Sequence, residues 1–282
     1  MHNEILVSAQ RLNELIQAGQ CIVVDCRFDF SDSSQGRADW LKAHIPGAAY
    51  AHMNDDLAAP ITEESGRHPL PDIDAFAGFL ASLGWTPDCL LVAYDSGSNA
   101  LSGRLWWLMR FFGQPAALLD GGLAAWNAAG LPLESGPVRA GAVPVSELKG
   151  DESMIASSAE ILANISSGQF MVMDARAPER FSGRAETLDT KAGHIPGSLN
   201  RPFQLNLADD LSFKKPQELR SEYQSLLDGM ESGQVIHTCG SGVTACHNLF
   251  SMELAGLDAS LLFPGSWSEW IRDPSRPIES GE

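Results

Sequence analysis

The sequence has no long hydrophobic run. Nowhere in its 282 residues does an apolar stretch reach the roughly 18 to 20 residues that span a bilayer. Its beginning, "MHNEILVSAQRLNELIQAG", lacks the basic and apolar regions of a secretion signal, so a cytoplasmic protein with no membrane partner is the expectation. Positive charge is scarce: 19 lysines and arginines stand against 36 aspartates and glutamates, a net charge of −17. That excess repels nucleic acid and anionic lipid, and an anionic substrate needs a local positive pocket. Cysteine is scarce too. The five, at 21, 26, 89, 239 and 246, are odd in number and form no Cys-x-x-Cys pair, which excludes a disulfide framework and a zinc knuckle from the expectations.

What the chain does have is a repeat of itself. "IVVDCR" at 22–27 returns as "MVMDAR" at 171–176, "KAHIPGA" as "KAGHIPGS", "DGGLAAW" as "PGSWSEW" and "LPLESG" as "RPIESG". Asp25 and Asp174 lie 149 residues apart, and Trp126 and Trp270 lie 144 apart. A period that long is a whole domain and not a solenoid unit. The reading is therefore a first domain over 1–138, a polar Gly/Pro-containing linker over 139–153 and a second domain over 154–282.

Within each half, short apolar runs ("CIVVDC", "LLVAYD", "AALLDGG"; "FMVMDA", "QVIHTC", "ASLLFPG") alternate with helix-period segments such as "ALSGRLWWLMRFFG" and "VTACHNLFSMELAG". Such runs predict strands buried on both faces in a mostly parallel sheet flanked by helices, an α/β fold. Ligands of such sheets gather where strands end in helix N-termini. Cys239 ends one of these strands, in "HTCGSGVTACHNLF". Gly240 and Gly242 let the following loop fold around the sulfur with its N–H groups inward, and the helix expected near Val243 adds its positive end; such a cradle stabilises a thiolate. The repeat sets Asp95 opposite Cys239, so only the second half can perform thiol chemistry.

One active and one degenerate half resembles the rhodanese-type sulfurtransferases. The resemblance runs over nearly the entire chain, through the "HIPG" segments, "RLWWLMRFFG", "LLDGGLAAW" and above all "CGSGVTAC". That loop is similar to the active-site loop of the mercaptopyruvate-using branch, whereas the thiosulfate-using branch usually carries basic residues after the cysteine. The resemblance implies two tandem rhodanese-like domains and a persulfide on Cys239. It implies a small-molecule donor, 3-mercaptopyruvate, that leaves as pyruvate, and a thiophilic acceptor such as a thiol, cyanide or thioredoxin; no metal or organic cofactor is needed. Gly240, Ser241, Gly242, Val243 and Thr244 would form the active-site loop. Arg180, in "PERFSGR", would hold the donor's carboxylate, with Arg184 as a second anchor. Ser241 would act with a histidine and an aspartate of the first half, His44 and either Asp32 or Asp39, although "HIPG" recurs at His194 and a shared turn-forming role explains both.

Other residues carry blander expectations. Cys246 belongs to the helix's buried face, His247 to its surface, and Arg104 to a structural salt bridge in preference to the cleft between the two halves. Pro264 stands where the family commonly has aspartate. A phosphatase on this fold wants an arginine closing a longer loop, and residues 240–248 contain none. A thiosulfate sulfurtransferase remains the nearer alternative, and a non-catalytic sulfur carrier or interaction module the more distant one.

Overall fold

A computed structural model describes residues 4–138, 141–144 and 147–281. The chain forms two compact units that are not contiguous in sequence. The first comprises 1–59, 70–151 and 208–213; the second comprises 60–69, 152–207 and 214–282. The main change of unit, after Asp151, lies inside the segment expected as linker, whose residues 139, 140, 145 and 146 are outside the described set. The two exchanged segments have no hydrophobic period of their own, so nothing in the sequence pattern announced them.

The first unit runs β1 (Leu6–Val7), α1 (Ala9–Gln17), β2 (Cys21–Asp25), α2 (Gln35–Lys42), β3 (Ala49–Tyr50), α3 (Ile73–Ser82), β4 (Leu90–Tyr94), α4 (Ser102–Phe111), β5 (Ala116–Leu119) and α5 (Gly122–Ala128). Its sheet is parallel, in the order β1-β5-β4-β2-β3. The second unit runs α6 (Ser158–Ser167), β6 (Met171–Asp174), α7 (Pro178–Phe181), β7 (Leu199–Asn200), α8 (Pro216–Leu227), β8 (Val235–Thr238), α9 (Ala245–Leu254), β9 (Leu261–Leu262) and α10 (Ser266–Trp270). Its parallel sheet has the order β7-β6-β8-β9. A parallel bridge from Ile155 to Leu262 stands where β1 stands in the first unit.

The apolar runs reflect burial on both sheet faces. Along β6 and β8, Val172 and Ile236 join one core with Phe263, Trp267 and Trp270, while their neighbours Met173 and Val235 join another with Leu219, Tyr223 and Met252. Alternate residues face opposite cores, so neither face can be polar.

The sequence echoes are repeated hydrogen bonds. The Arg27 guanidinium forks onto Asp25 and donates to the Ala43 carbonyl at 2.7 Å; Arg176 does the same to Asp174 and the Gly193 carbonyl at 2.9 Å. His44 and His194 bridge the backbone of Glu134 and Glu279. The Trp126 indole donates to the Pro132 carbonyl at 2.8 Å, and that of Trp270 to the Pro277 carbonyl at 2.9 Å. Each echo satisfies polar groups that the turns would otherwise bury unpaired.

Candidate active site

Cys239 follows β8 directly and is 2% exposed. Three contacts to α10 fix its position. Its N–H donates to Ser266 Oγ at 3.1 Å, its carbonyl accepts from Trp267 N at 3.0 Å, and the next carbonyl, of Gly240, accepts from Ser268 N at 2.9 Å. Gly242 turns the loop with φ +75, and a side chain there would collide with the Pro264 carbonyl. The expected departure at Pro264 thus contributes backbone to the turn. Val243 is buried, Thr244 stands just before α9 without a side-chain capping bond, and the helix begins at Ala245, slightly later than expected.

The degenerate half shows what this loop is built to hold. In the first unit, the Asp95 carboxylate accepts from Gly97 N at 3.0 Å, Asn99 N at 2.9 Å, Leu101 N at 2.9 Å and Ser102 N at 3.4 Å. The side chain itself is the anion, and it is 2% exposed. By the 144-residue repeat, the first three amides correspond to Ser241, Val243 and Ala245. Among the described residues no acceptor takes those N–H groups. One half closes its loop amides with a carboxylate; the other carries a cysteine at the carboxylate's place in the repeat.

The side chains around the loop are cationic and hydroxylic. Arg180, at the end of α7, gives Nε and Nη2 to Glu186 at 2.9–3.2 Å and Nη2 to Asp189 at 3.1 Å. Its remaining nitrogen, Nη1, lies over Gly240, 3.3 Å from where a Cβ would stand. Arg184 is exposed to solvent. Behind them Arg176, forked onto Asp174, lies over the Trp267 ring at 4.9 Å.

Two residues that the sequence reading did not single out lie against the loop. His68 Nδ1 lies 2.7 Å from Ser241 Oγ, and both residues are buried. The Arg67 guanidinium pairs with Asp189 and reaches over Gly240. Both sit in the segment 60–69 that belongs to the second unit. A signal existed: from His44 to the α3 cap at Asp72 is 28 residues, whereas from His194 to the α8 cap at Lys215 is 21. The surplus residues in the first half had no structural duty in the repeat.

The histidine beside Ser241 is thus His68 and not His44. His44 is fully buried in the first unit; its Nδ1 meets the Trp40 carbonyl at 2.7 Å and its ring stacks on Trp40. His194 repeats this, with Nδ1 at the Phe181 carbonyl and its ring on Phe181, so the histidine of "HIPG" holds a turn in both halves. Neither aspartate serves it: Asp32 accepts from Ser34 and Asp39 from Gln35. His247 is also corrected. It is fully buried, with Nδ1 3.1 Å from Asn206 Nδ2, because α9 is covered on all sides from Ala245 to Met252. Cys246 is in the core, its Sγ donating to the Gly242 carbonyl at 3.3 Å. Arg104, fully buried in the first unit, donates Nε to the Leu57 carbonyl at 3.3 Å.

Burial separates the thiols. It pushes Cys21 up to about 12, raises Cys26 well above the ordinary thiol range with help from the Asp25 charge, and raises Cys89. These three favour the inert protonated form. Among the described residues no group of histidine, cysteine or carboxylate side chains is arranged to hold a metal ion, and no helix is long and apolar enough to cross a membrane.

The model of the Rhodanese-like domain matches residues 8–129 and again 157–273. The chain is 41% identical, over the full length of both, to the "Probable 3-mercaptopyruvate sulfurtransferase" of Pseudomonas aeruginosa. It is 31% identical to the thiosulfate sulfurtransferase of Bos taurus, over 94% of this chain and 91% of that one. Its structure superposes on that of SseA of Escherichia coli, described as a 3-mercaptopyruvate sulfotransferase, with a TM-score of 0.80 and 28% identity, covering 94% of this chain and 100% of the other. With a sheet order common to both units, a cysteine loop in one and a carboxylate in its place in the other, the chain belongs to the rhodanese family, as a tandem of two rhodanese-like domains.

Proposed function

We propose that the protein transfers the sulfur of 3-mercaptopyruvate, through a persulfide on Cys239, to a thiophilic acceptor. The observation that carries this is that the loop amides after Cys239 have no acceptor among the described residues, whereas their counterparts in the sister unit are taken by the Asp95 carboxylate. The Cys239 thiolate attacks the donor sulfur, a Cys–S–S bond forms, and the C–S bond breaks with its electron pair going to the carbon as the enolate of pyruvate. The donor's own thiol proton balances the one the enolate carbon takes up. With a hydrogen on His68 Nδ1, that ring donates to Ser241 Oγ and leaves the serine hydroxyl free to donate to the enolate oxygen, where charge develops. Arg180 Nη1 meets the carboxylate. The loop amides then hold the terminal sulfur anion until a small thiol, cyanide or a reduced thioredoxin-like protein removes it. Cysteines recorded free throughout suit a reducing, cytoplasmic setting.

Donor choice rests on the neutral Gly240-Ser241 pair and on the mercaptopyruvate relatives in Pseudomonas aeruginosa and Mus musculus, the latter 36% identical over 87% of this chain. The bovine relative keeps thiosulfate as the second reading. Catalytic efficiency measured by pyruvate release from mercaptopyruvate should exceed that measured by thiocyanate formation from thiosulfate by at least about tenfold, roughly 1.4 kcal/mol of transition-state preference. Equal or reversed efficiencies would overturn the donor assignment.

A further inference from the structure

Gly122 and Ser266 open equivalent helices, α5 and α10, at the 144-residue period of the repeat (266 − 122), and both have φ +52. The backbone around them repeats as well. Leu123 N donates to the Asp95 carbonyl at 2.9 Å and Ala124 N to that of Ser96 at 3.1 Å, as Trp267 N does to Cys239 at 3.0 Å and Ser268 N to Gly240 at 2.9 Å. A left-handed φ strains an L side chain and costs glycine nothing, and in the first unit a Cβ on Gly122 would lie 2.6 Å from the Asp95 carbonyl oxygen. Glycine suits this turn. The second unit nevertheless has a serine there, fully buried.

Elsewhere among the described residues, positive φ outside glycine falls on Asn99 and Asp228, types that tolerate it, and on Leu211 and Ala259 in exposed connections. A buried residue persists in such a conformation only where its surroundings hold it there. Ser266 Oγ accepts from Cys239 N at 3.1 Å and donates to the Phe263 carbonyl at 2.9 Å. It is the one acceptor of that buried N–H among the described residues. With its N–H taken by Ser266 and its carbonyl by Trp267, the Cys239 backbone is fixed on both sides, and the sulfur moves only about the Cα–Cβ bond. Asp95 needs no such hold, because four loop N–H groups fix its carboxylate directly. A thiol is a weak hydrogen-bonding group, so it has to be placed through its backbone.

We propose that Ser266 is a positioning residue for the nucleophile: its hydroxyl, carried on a strained backbone that glycine would adopt freely, fixes the Cys239 peptide and with it the direction in which the sulfur meets an electrophile and the loop amides. The assignment rests on Cys239 being the sulfur-accepting nucleophile. A serine kept for the turn alone would be replaced by glycine without loss, so the two roles separate in one substitution.

The test uses the full-length protein with Ser266→Gly, which removes both hydroxyl and strain, and Ser266→Ala, which removes the hydroxyl and keeps the strain. Alkylation of Cys239 by neutral iodoacetamide is timed by peptide mass across pH. In both variants the midpoint of the rate profile should rise by about one pH unit, since a loosened sulfur is less well stabilised as thiolate, and alkylation below the midpoint should slow about tenfold. With mercaptopyruvate, kcat should fall about tenfold with KM within about twofold. Ser266→Gly should unfold at higher denaturant than Ser266→Ala. Wild-type kcat and an unmoved midpoint in Ser266→Gly overturn the proposal, and so does a loss of kcat with the midpoint unmoved. Ser266→Gly unfolding at no higher denaturant than Ser266→Ala overturns the strained placement. If mercaptopyruvate proves not to be a donor, the sulfur-transfer reading fails while the alkylation profile still decides for or against Ser266.

Discussion

At the scale of single residues, what the sequence made legible was a cysteine loop at a strand end. Cys239 was placed by a run of apolar residues and two glycines, and Arg180 by its motif. His68 and Arg67 were not legible, because their placement beside the loop comes from a segment that leaves its own half of the sequence, and no local periodicity encodes that exchange. His44 misled for the same reason: a histidine in a recurrent turn looks functional until its ring is seen hydrogen-bonded to Trp40 and stacked on it. The two histidines give opposite expectations. His68→Gln removes the group that orients Ser241 and should lower kcat with mercaptopyruvate by about ten- to a hundredfold at near-constant KM. His44→Gln should cost stability and leave kcat of the folded protein within about twofold. Steady-state kinetics on both variants checks the pair, and an equal loss of kcat in each would contradict it. Arg180→Ala should lose about 1.5 to 3 kcal/mol of transition-state stabilisation and Arg180→Lys less, since an ammonium cannot reproduce the fork; full efficiency in Arg180→Ala would leave Arg180 as a partner of Glu186 only.

At the scale of elements, the loop between a sheet strand and the following helix is one structure used twice. In the first unit the ring of amides before α4 is closed by Asp95, which satisfies four N–H groups that burial would otherwise leave costly. Asp95→Ala should therefore destabilise the protein by about 3 kcal/mol, and Asp95→Asn by less because its amide oxygen retains part of the bonding. Denaturant unfolding measures both. A loss under about 1 kcal/mol in Asp95→Ala would mean that the first-unit loop does not depend on its internal anion. The strands were legible because each run is apolar on both faces. The character of α9 was less so: with both its flanks buried it has no polar stripe, and His247 could be read only as surface.

At the scale of the whole molecule, repetition made the fold legible: the Asp-Arg fork, the histidine turn and the tryptophan-to-carbonyl bond each occur once per unit, and two sheets share one strand order. Where the repeat breaks, function enters. Stability across pH also belongs to this scale. Burial pushes His237, in the middle of the second sheet, down to about 3. Between that value and the ordinary histidine value of about 6.5, the unfolded chain binds a proton that the folded one does not, so stability falls as pH drops, by about 1.4 kcal/mol per pH unit for this one group. His237→Leu should flatten the decline of unfolding free energy between about pH 6 and 4 by close to that slope, and identical slopes would contradict the assignment.

The persulfide on Cys239 is the claim on which the rest depends, and a single turnover tests it most directly. The protein is mixed with a small excess of mercaptopyruvate and no acceptor, pyruvate is counted, and the peptides are weighed. The account predicts one pyruvate per chain and a gain of about 32 Da, one sulfur atom, on the peptide carrying Cys239, with none on those carrying Cys21, Cys26, Cys89 or Cys246 and none anywhere in Cys239→Ser. Sulfur found on another cysteine, or pyruvate released without any sulfur on Cys239, would contradict it.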